Sequence, residues 1–169
     1  MALITSNKTN HDALKNVKLT NPVHLLALGF GSGLIFPAPG TWGTLVGLLI
    51  GWLLLQWIAV PFFLIFALIA FFIGCYLCEK TAHDMKVHDH SSIVWDEIVA
   101  IWLVLTALPN YAWQWCLTAF VLFRFFDIIK PYPIRYFDRK LQTGFGIMFD
   151  DLLAALYAII VIFLIRSMI

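Results

Sequence analysis

Sixty consecutive residues, Leu19 to Cys78, contain no Lys, Arg, Asp or Glu. A water-soluble domain draws about a quarter of its residues from those four types. Two more uncharged runs follow, twenty-six residues from Ile98 to Phe123 and fourteen from Leu152 to Ile165. Runs of this length and polarity predict an all-α integral membrane protein, because a helix satisfies its own backbone polar groups where lipid cannot. The net charge of +1 gives no global field of the kind that recruits nucleic acid.

Punctuation by proline and charge divides the apolar stretches. Residues 1–20 read as a polar cytoplasmic leader with Lys8, Lys15 and Lys18, without the short apolar core and cleavage site of a secretory signal. Residues 21–169 read as one membrane-embedded domain. Its first apolar stretch, Val23 to Phe36, has fourteen residues and is interrupted by Gly29, Gly31 and Gly33. That is short for a span and predicts a re-entrant segment. The turn Pro37-Ala-Pro-Gly-Thr-Trp-Gly43 follows, in which Thr41 is a candidate helix cap or substrate contact, with Thr44 as the other candidate cap. About five transmembrane helices are then expected: 44–60, 62–78, 93–108, 111–129, and one that starts at Asp150 or Asp151 and runs to about 165. Polar loops are expected at 79–92 and, with a possible surface helix, at 131–149.

The charges are sorted as strongly as the apolar residues. Nine of the ten acids lie between Glu79 and Asp151, and ten of the eleven Lys and Arg fall in the leader and the two charged loops, counting Arg124 with the second. The positive-inside rule therefore places the leader and both loops in the cytoplasm. Asp84, Asp89, Asp96, Glu97, Asp127, Lys130, Asp150 and Asp151 would then share one membrane face.

The stretch Leu122 to Arg135, LFRFFDIIKPYPIR, concentrates this pattern. At 100° per residue Arg124, Asp127 and Lys130 fall within about 120° of one another on one helix face. Pro131 and Pro133 stop the helix and Arg135 follows. Such groups at a membrane helix end serve as interfacial anchors or as a site. Three acidic groups converge with them, Asp96-Glu97, Asp127 and Asp150-Asp151. Hard oxygen donors beside cations suit Mg²⁺ and phosphate. Neighbouring acids on a helix point about 100° apart, so one of a pair can ligate while the other holds a cation. His83, His88 and His90 are weaker candidates for a zinc site, and solvation or support of the site is their expected role. Cys75, Cys78 and Cys116 lie in apolar segments and are expected to act as small buried hydrophobes.

Four blocks now stand in order: GFGSG…PAPGTWGT, VHDHSSIVWDE, FRFFDIIKPYPIRYFD and GFGIMFDD. Together they resemble the bacterial phosphatidylglycerophosphatase A family from about Asn21 onward. The resemblance implies a Mg²⁺-dependent lipid phosphatase of the bacterial inner membrane. Its reaction removes the terminal phosphate of phosphatidylglycerophosphate to leave phosphatidylglycerol. The family's motifs fall on Asp96 and Glu97, on Asp127, Lys130 and Pro131, and on Gly144, Gly146, Asp150 and Asp151. The expectation is that Asp96, Asp127 and Asp150 hold Mg²⁺. Glu97 is a further ligand or, with Asp151, a candidate base or water-positioning group. Arg124, Lys130 and Arg135 are expected to neutralise phosphate oxygens, and the acyl chains to lie along Trp102, Trp113 and Trp115. In-line attack by water is the first expectation and an aspartyl-phosphate at Asp127 the second. Rival readings are another lipid- or polyprenyl-phosphate phosphatase, an alcohol phosphotransferase, and a divalent-ion transporter. The transporter would need acids near the bilayer midplane rather than on one face.

Overall fold

A computed structural model describes residues 13–88 and 90–168. The first twelve residues of the expected leader, and Asp89, lie outside the described residues. The rest of that leader packs on the domain: Ala13 is buried, and Leu14 and Val17 lie against the core.

The described residues are helical, with no strand among them. Helix α1 spans Pro22–Ala27 and is capped by the Asn21 side chain, which accepts from the Val23 N–H at 3.0 Å. A 3-10 segment, Gly29–Leu34, follows at once. Gly29, Phe30 and Gly31 have φ of 54°, 58° and 95°, so no continuous helix runs from Val23 to Phe36. A left-handed backbone is accessible to glycine at little cost, which is why this apolar stretch turns instead of spanning.

Helix α2, Pro39–Leu54, begins five residues before the expected Thr44. Pro39 sits in its first turn, where the missing N–H costs nothing. Thr44 is therefore inside the helix, its hydroxyl donating to the Gly40 carbonyl at 2.7 Å, and it caps nothing. Gly40, Gly43, Gly47 and Gly51 form a stripe along α2. A side chain at Gly43 would strike Val94, and one at Gly51 would strike Trp102 and Leu105. Small residues at this spacing let two helix backbones approach closely. At Gly47 an added methyl would lie 2.8 Å from the Ile98 Cα and 3.2 Å from its carbonyl oxygen. Neither backbone atom can rotate away. Gly47→Ala is accordingly expected to lower stability by about 1–3 kcal/mol, read as a lower Tm of the detergent-solubilised protein.

The partner of that stripe is α4, Trp95–Leu105, the centre of the bundle. It packs against α2, against α3 (Val60–Met85), against α5 (Trp113–Ile129) and against α7 (Gly144–Met168). At 1.5 Å per residue its eleven residues cover only about 16 Å. Every residue of α4 except Glu97 is buried. Two indoles join it to its neighbours: the Trp95 N–H donates to the Ala70 carbonyl at 3.1 Å, and the Trp102 N–H to the Gly47 carbonyl at 2.8 Å. Trp102 is thus a core residue and not part of an exposed aromatic face, whereas Trp113 is 70% exposed.

Among the described residues there are five apolar helices, of which two are long and apolar enough to cross a membrane, α3 with 26 residues and α7 with 25. The expected spans at 44–60, 93–108 and 111–129 are helices of 16, 11 and 17 residues. Two boundaries moved because polar side chains prolong helices as well as end them. Helix α3 continues two turns past Cys78 to Met85, through an i,i+4 ion pair of Lys80 with Asp84 at 2.6 Å. The C-terminal helix starts at Gly144, not at Asp150 or Asp151. Thr143 Oγ1 accepts from the Gly146 N–H at 3.2 Å, and the Glu79 carboxylate accepts from the Gly144 N–H. These two caps place Asp150 and Asp151 about two turns inside α7, facing the bundle. A short helix α6, Ile134–Lys140, occupies the connection between α5 and α7.

Candidate active site

The polar ends of the helices meet in one cavity of about 300 Å³. Asp96 and Glu97 come from the first turn of α4 and Asp127 from the last turn of α5. Lys130, with φ 45°, caps the end of α5. Asp150 and Asp151 come from α7, and Gly40 from the first turn of α2. Six residues drawn from three distant parts of the sequence as one acidic–basic cluster, Asp96, Glu97, Asp127, Lys130, Asp150 and Asp151, all line this space, as does Arg124.

Within it the carboxylates have different neighbours. Oxygen atoms of Asp96, Glu97 and Asp151 lie within 4.8 Å of one another. Asp127 pairs with the Arg124 guanidinium, which also lies 3.6 Å from Glu97. Asp150 pairs with the Lys130 ammonium, which reaches Asp138 at 2.7 Å as well. The expected ligand set of Asp96, Glu97, Asp127 and Asp150 is therefore divided. Asp150 and Asp127 face cations, and Asp151 joins Asp96 and Glu97. The helical offset of adjacent residues explains the split between Asp150 and Asp151. Burial disfavours the Lys130 ammonium, but the Asp150 charge and the bonds to Asp138 and Asp150 outweigh it and raise its pKa above the ordinary lysine range.

The charge balance of the cavity is its defining property. Five carboxylates face two cations. Asp96, Asp150 and Asp151 are all at most 9% exposed. Buried charge without compensation is strongly unfavourable. Two buried oxygens, Glu97 Oε2 and Asp151 Oδ2, have no hydrogen-bond partner. They lie in the trio whose oxygens converge, and a divalent cation with a hard-oxygen preference fits that donor set. Among the described residues this is the one group of three or more His, Cys, Asp or Glu side chains arranged to hold a metal ion.

Other expected residues lie elsewhere. Arg135 does not line this cavity; its guanidinium donates to the Ile129 carbonyl at 3.4 Å beside a neighbouring one. Thr41 is one residue beyond Gly40 and is not among the lining residues. Asp84 pairs with Lys80 and, at 3.0 Å, with His24. His90 is buried, its Nδ1 accepting from the Ser92 N–H at 3.1 Å. His83 is solvent-facing, 84% of its side chain exposed. None of the three candidate zinc histidines belongs to the carboxylate group.

Gly40 is one of the lining residues not expected from the sequence, with Ala38, Pro39, Ser91, Ile93 and Ile128. A methyl at Gly40 would collide with Glu97 Oε1 and come within 3.1–3.3 Å of the Arg124 guanidinium nitrogens. The signal was present in the sequence as the first member of the Gly40, Gly43, Gly47, Gly51 stripe. Gly40→Ala is expected to displace the Glu97–Arg124 pair and lower turnover about tenfold to a hundredfold, since a misplacement of about 1 Å at an active site can cost about 10²-fold. Steady-state kinetics on a variant shown to be folded by its Tm would check this.

Converging carboxylates with flanking cations, on a scaffold whose secondary structure is all helical among the described residues, suit a phosphorylated group. Sequence comparison narrows the class. Residues 25–166 match the family model described as phosphatidylglycerophosphatase A. The chain is 62% identical over 158 residues to phosphatidylglycerophosphatase A of Haemophilus influenzae, covering 94% of this chain and 97% of that protein. It is 48% identical over 142 residues to the Escherichia coli protein of the same name, covering 84% and 82% of the two chains. No solved structure matches. The chain belongs to the phosphatidylglycerophosphatase A family of hydrolases.

Proposed function

We propose that the protein hydrolyses the terminal phosphate monoester of phosphatidylglycerophosphate, leaving phosphatidylglycerol, in a Mg²⁺-dependent reaction. The observation that carries this reading is the excess of buried carboxylate over cation in the cavity. A phosphate dianion entering that field alone would be repelled. With a cation held by the trio, and with Arg124 and Lys130 opposite, it is attracted.

Asp96, Glu97 and Asp151 would hold the ion. When bound, Mg²⁺ would neutralise phosphate charge and lower the barrier to attack by water. The remaining work falls to the chain. Arg124 is fixed by Asp127 and Glu97, so its guanidinium is oriented before substrate arrives; a planar fork of this kind binds two phosphate oxygens at once. Lys130, held between Asp138 and Asp150, supplies a second fixed positive charge. Of the two carboxylates outside the trio, Asp150 is committed to Lys130, and Asp127, beside Arg124, is the one to position water. As the water oxygen attacks phosphorus in line, its proton passes to Asp127, the bond from phosphorus to the glycerol oxygen breaks, and that oxygen takes a proton from solvent. Inorganic phosphate and the lipid alcohol result.

The acyl chains would remain in the bilayer. Helices α3 and α7 supply spans, and the charge sorting of the loops supports a multi-pass arrangement in the bacterial inner membrane. The carboxylate end of the bundle would face the cytoplasm. The shorter helices α2, α4 and α5 would complete the bundle within the bilayer.

The test is phosphate release from dispersed phosphatidylglycerophosphate by purified protein. Release with Mg²⁺ and its loss in excess chelator are expected. No release with Mg²⁺, together with ion flux in protein-containing liposomes, would overturn this reading in favour of a transporter.

A further inference from the structure

A second cavity, larger than the first at about 800 Å³, adjoins the carboxylate site. Lys130, Arg135, Arg139 and Lys140 line it with the rings of Tyr132 and Tyr136, and no carboxylate does. Its polarity is thus the reverse of its neighbour's. Lys130 lines both cavities, so the two share one residue as a common wall. Arg135 and Arg139 are one helical turn apart on α6 and both are exposed. Lys140 is steadied by Tyr136, its ammonium donating to the phenol oxygen at 3.0 Å and lying 5.3 Å from the ring centre.

We propose that this basic cavity binds the internal phosphodiester of the same lipid whose terminal phosphate occupies the carboxylate site. The proposal rests on the phosphatase reading above and extends it to substrate choice. The substrate carries two phosphates joined by one glycerol unit, and a three-carbon bridge suits two sites that share a wall. Lys130 then stands between the two phosphates, while Arg135 and Arg139 contact the diester oxygens that are not attacked. Binding energy gathered at the diester selects a glycerophosphate-bearing lipid over a simple phosphate monoester. The same chemistry could be supplied by the head group of an anionic bilayer lipid, and the test separates the two.

The experiment compares wild-type protein with an Arg135→Gln, Arg139→Gln double variant on phosphatidylglycerophosphate in neutral detergent micelles, without other anionic lipid. Both residues are exposed, and an unchanged Tm of the double variant shows that its fold is retained. The expected result is a KM raised about tenfold or more with kcat changed less than twofold, and recovery of most of the loss when both are Lys instead. Phosphatidylglycerol, which carries the diester alone, is expected to inhibit the wild type competitively and the Gln variant about tenfold more weakly. An unchanged KM in micelles overturns the proposal. So does a defect seen only on anionic vesicles, which would assign the cavity to the bilayer surface. A fall in kcat at constant KM also overturns it, because it would mark a structural role. Absence of phosphate release by the wild type would instead fail the phosphatase reading, and this proposal with it.

Discussion

Asp151→Asn is expected to reduce phosphate release from phosphatidylglycerophosphate by at least about 10³-fold, since one fixed electrostatic group in such a site is worth about 10²–10³ in kcat and this one would also hold the ion. The substitution preserves shape, so the loss is chemical. Asp151 is buried at 3% exposure and converges with Asp96 and Glu97. Removing one charge from a crowded set of buried carboxylates relieves repulsion. The metal-free variant is therefore expected to match or exceed the wild-type Tm, as happens when a strained functional site is neutralised. A fall in activity accompanied by a fall in Tm would instead make Asp151 a structural residue.

Arg124→Gln is expected to lower kcat by about 10²–10³-fold. Arg124 pairs with Asp127 and approaches Glu97 at 3.6 Å, so its loss leaves two carboxylates without their cation and the phosphate without its fork. Arg124→Lys restores the charge but not the planar, two-point contact. Its kcat is expected to fall between those of the wild type and Arg124→Gln. Equal kcat for Lys and Arg would show that charge alone matters at this position.

Much of the site was legible before the fold. Sixty uncharged residues announce an apolar helical protein, and the sorting of acids into the gaps announces that they gather. The offset of neighbouring residues on a helix anticipates that Asp150 and Asp151 divide their work. What it cannot supply is which member turns which way. That depends on where α7 begins, and α7 begins at Gly144 because Thr143 and the distant Glu79 cap it. A contact across sixty-five residues leaves no local trace. One helix length differs from the expected one for a related reason. The apolar run at 93–108 reads as a helix of sixteen residues, yet α4 has eleven and is enclosed by four other helices, whereas the run at 111–129 is helical over Trp113–Ile129. Hydropathy reports burial, and burial inside a bundle and burial in lipid look the same in sequence. The glycine stripe of α2 was readable in principle, since its spacing is regular. The Gly29, Gly31, Gly33 cluster, at two-residue spacing, forms a turn instead.

The central claim is that Asp96, Glu97 and Asp151 together hold a divalent cation. Mn²⁺ binding to the purified, detergent-solubilised protein, followed by electron paramagnetic resonance with Mg²⁺ as competitor, tests it most directly. Wild-type protein should bind Mn²⁺ at a site from which Mg²⁺ displaces it. Glu97→Gln and Asp151→Asn should each weaken that binding by at least about tenfold to a hundredfold, the range for loss of even a supporting group, while Asp84→Asn should leave it unchanged. Mn²⁺ affinity unaltered in both Glu97→Gln and Asp151→Asn would contradict the account.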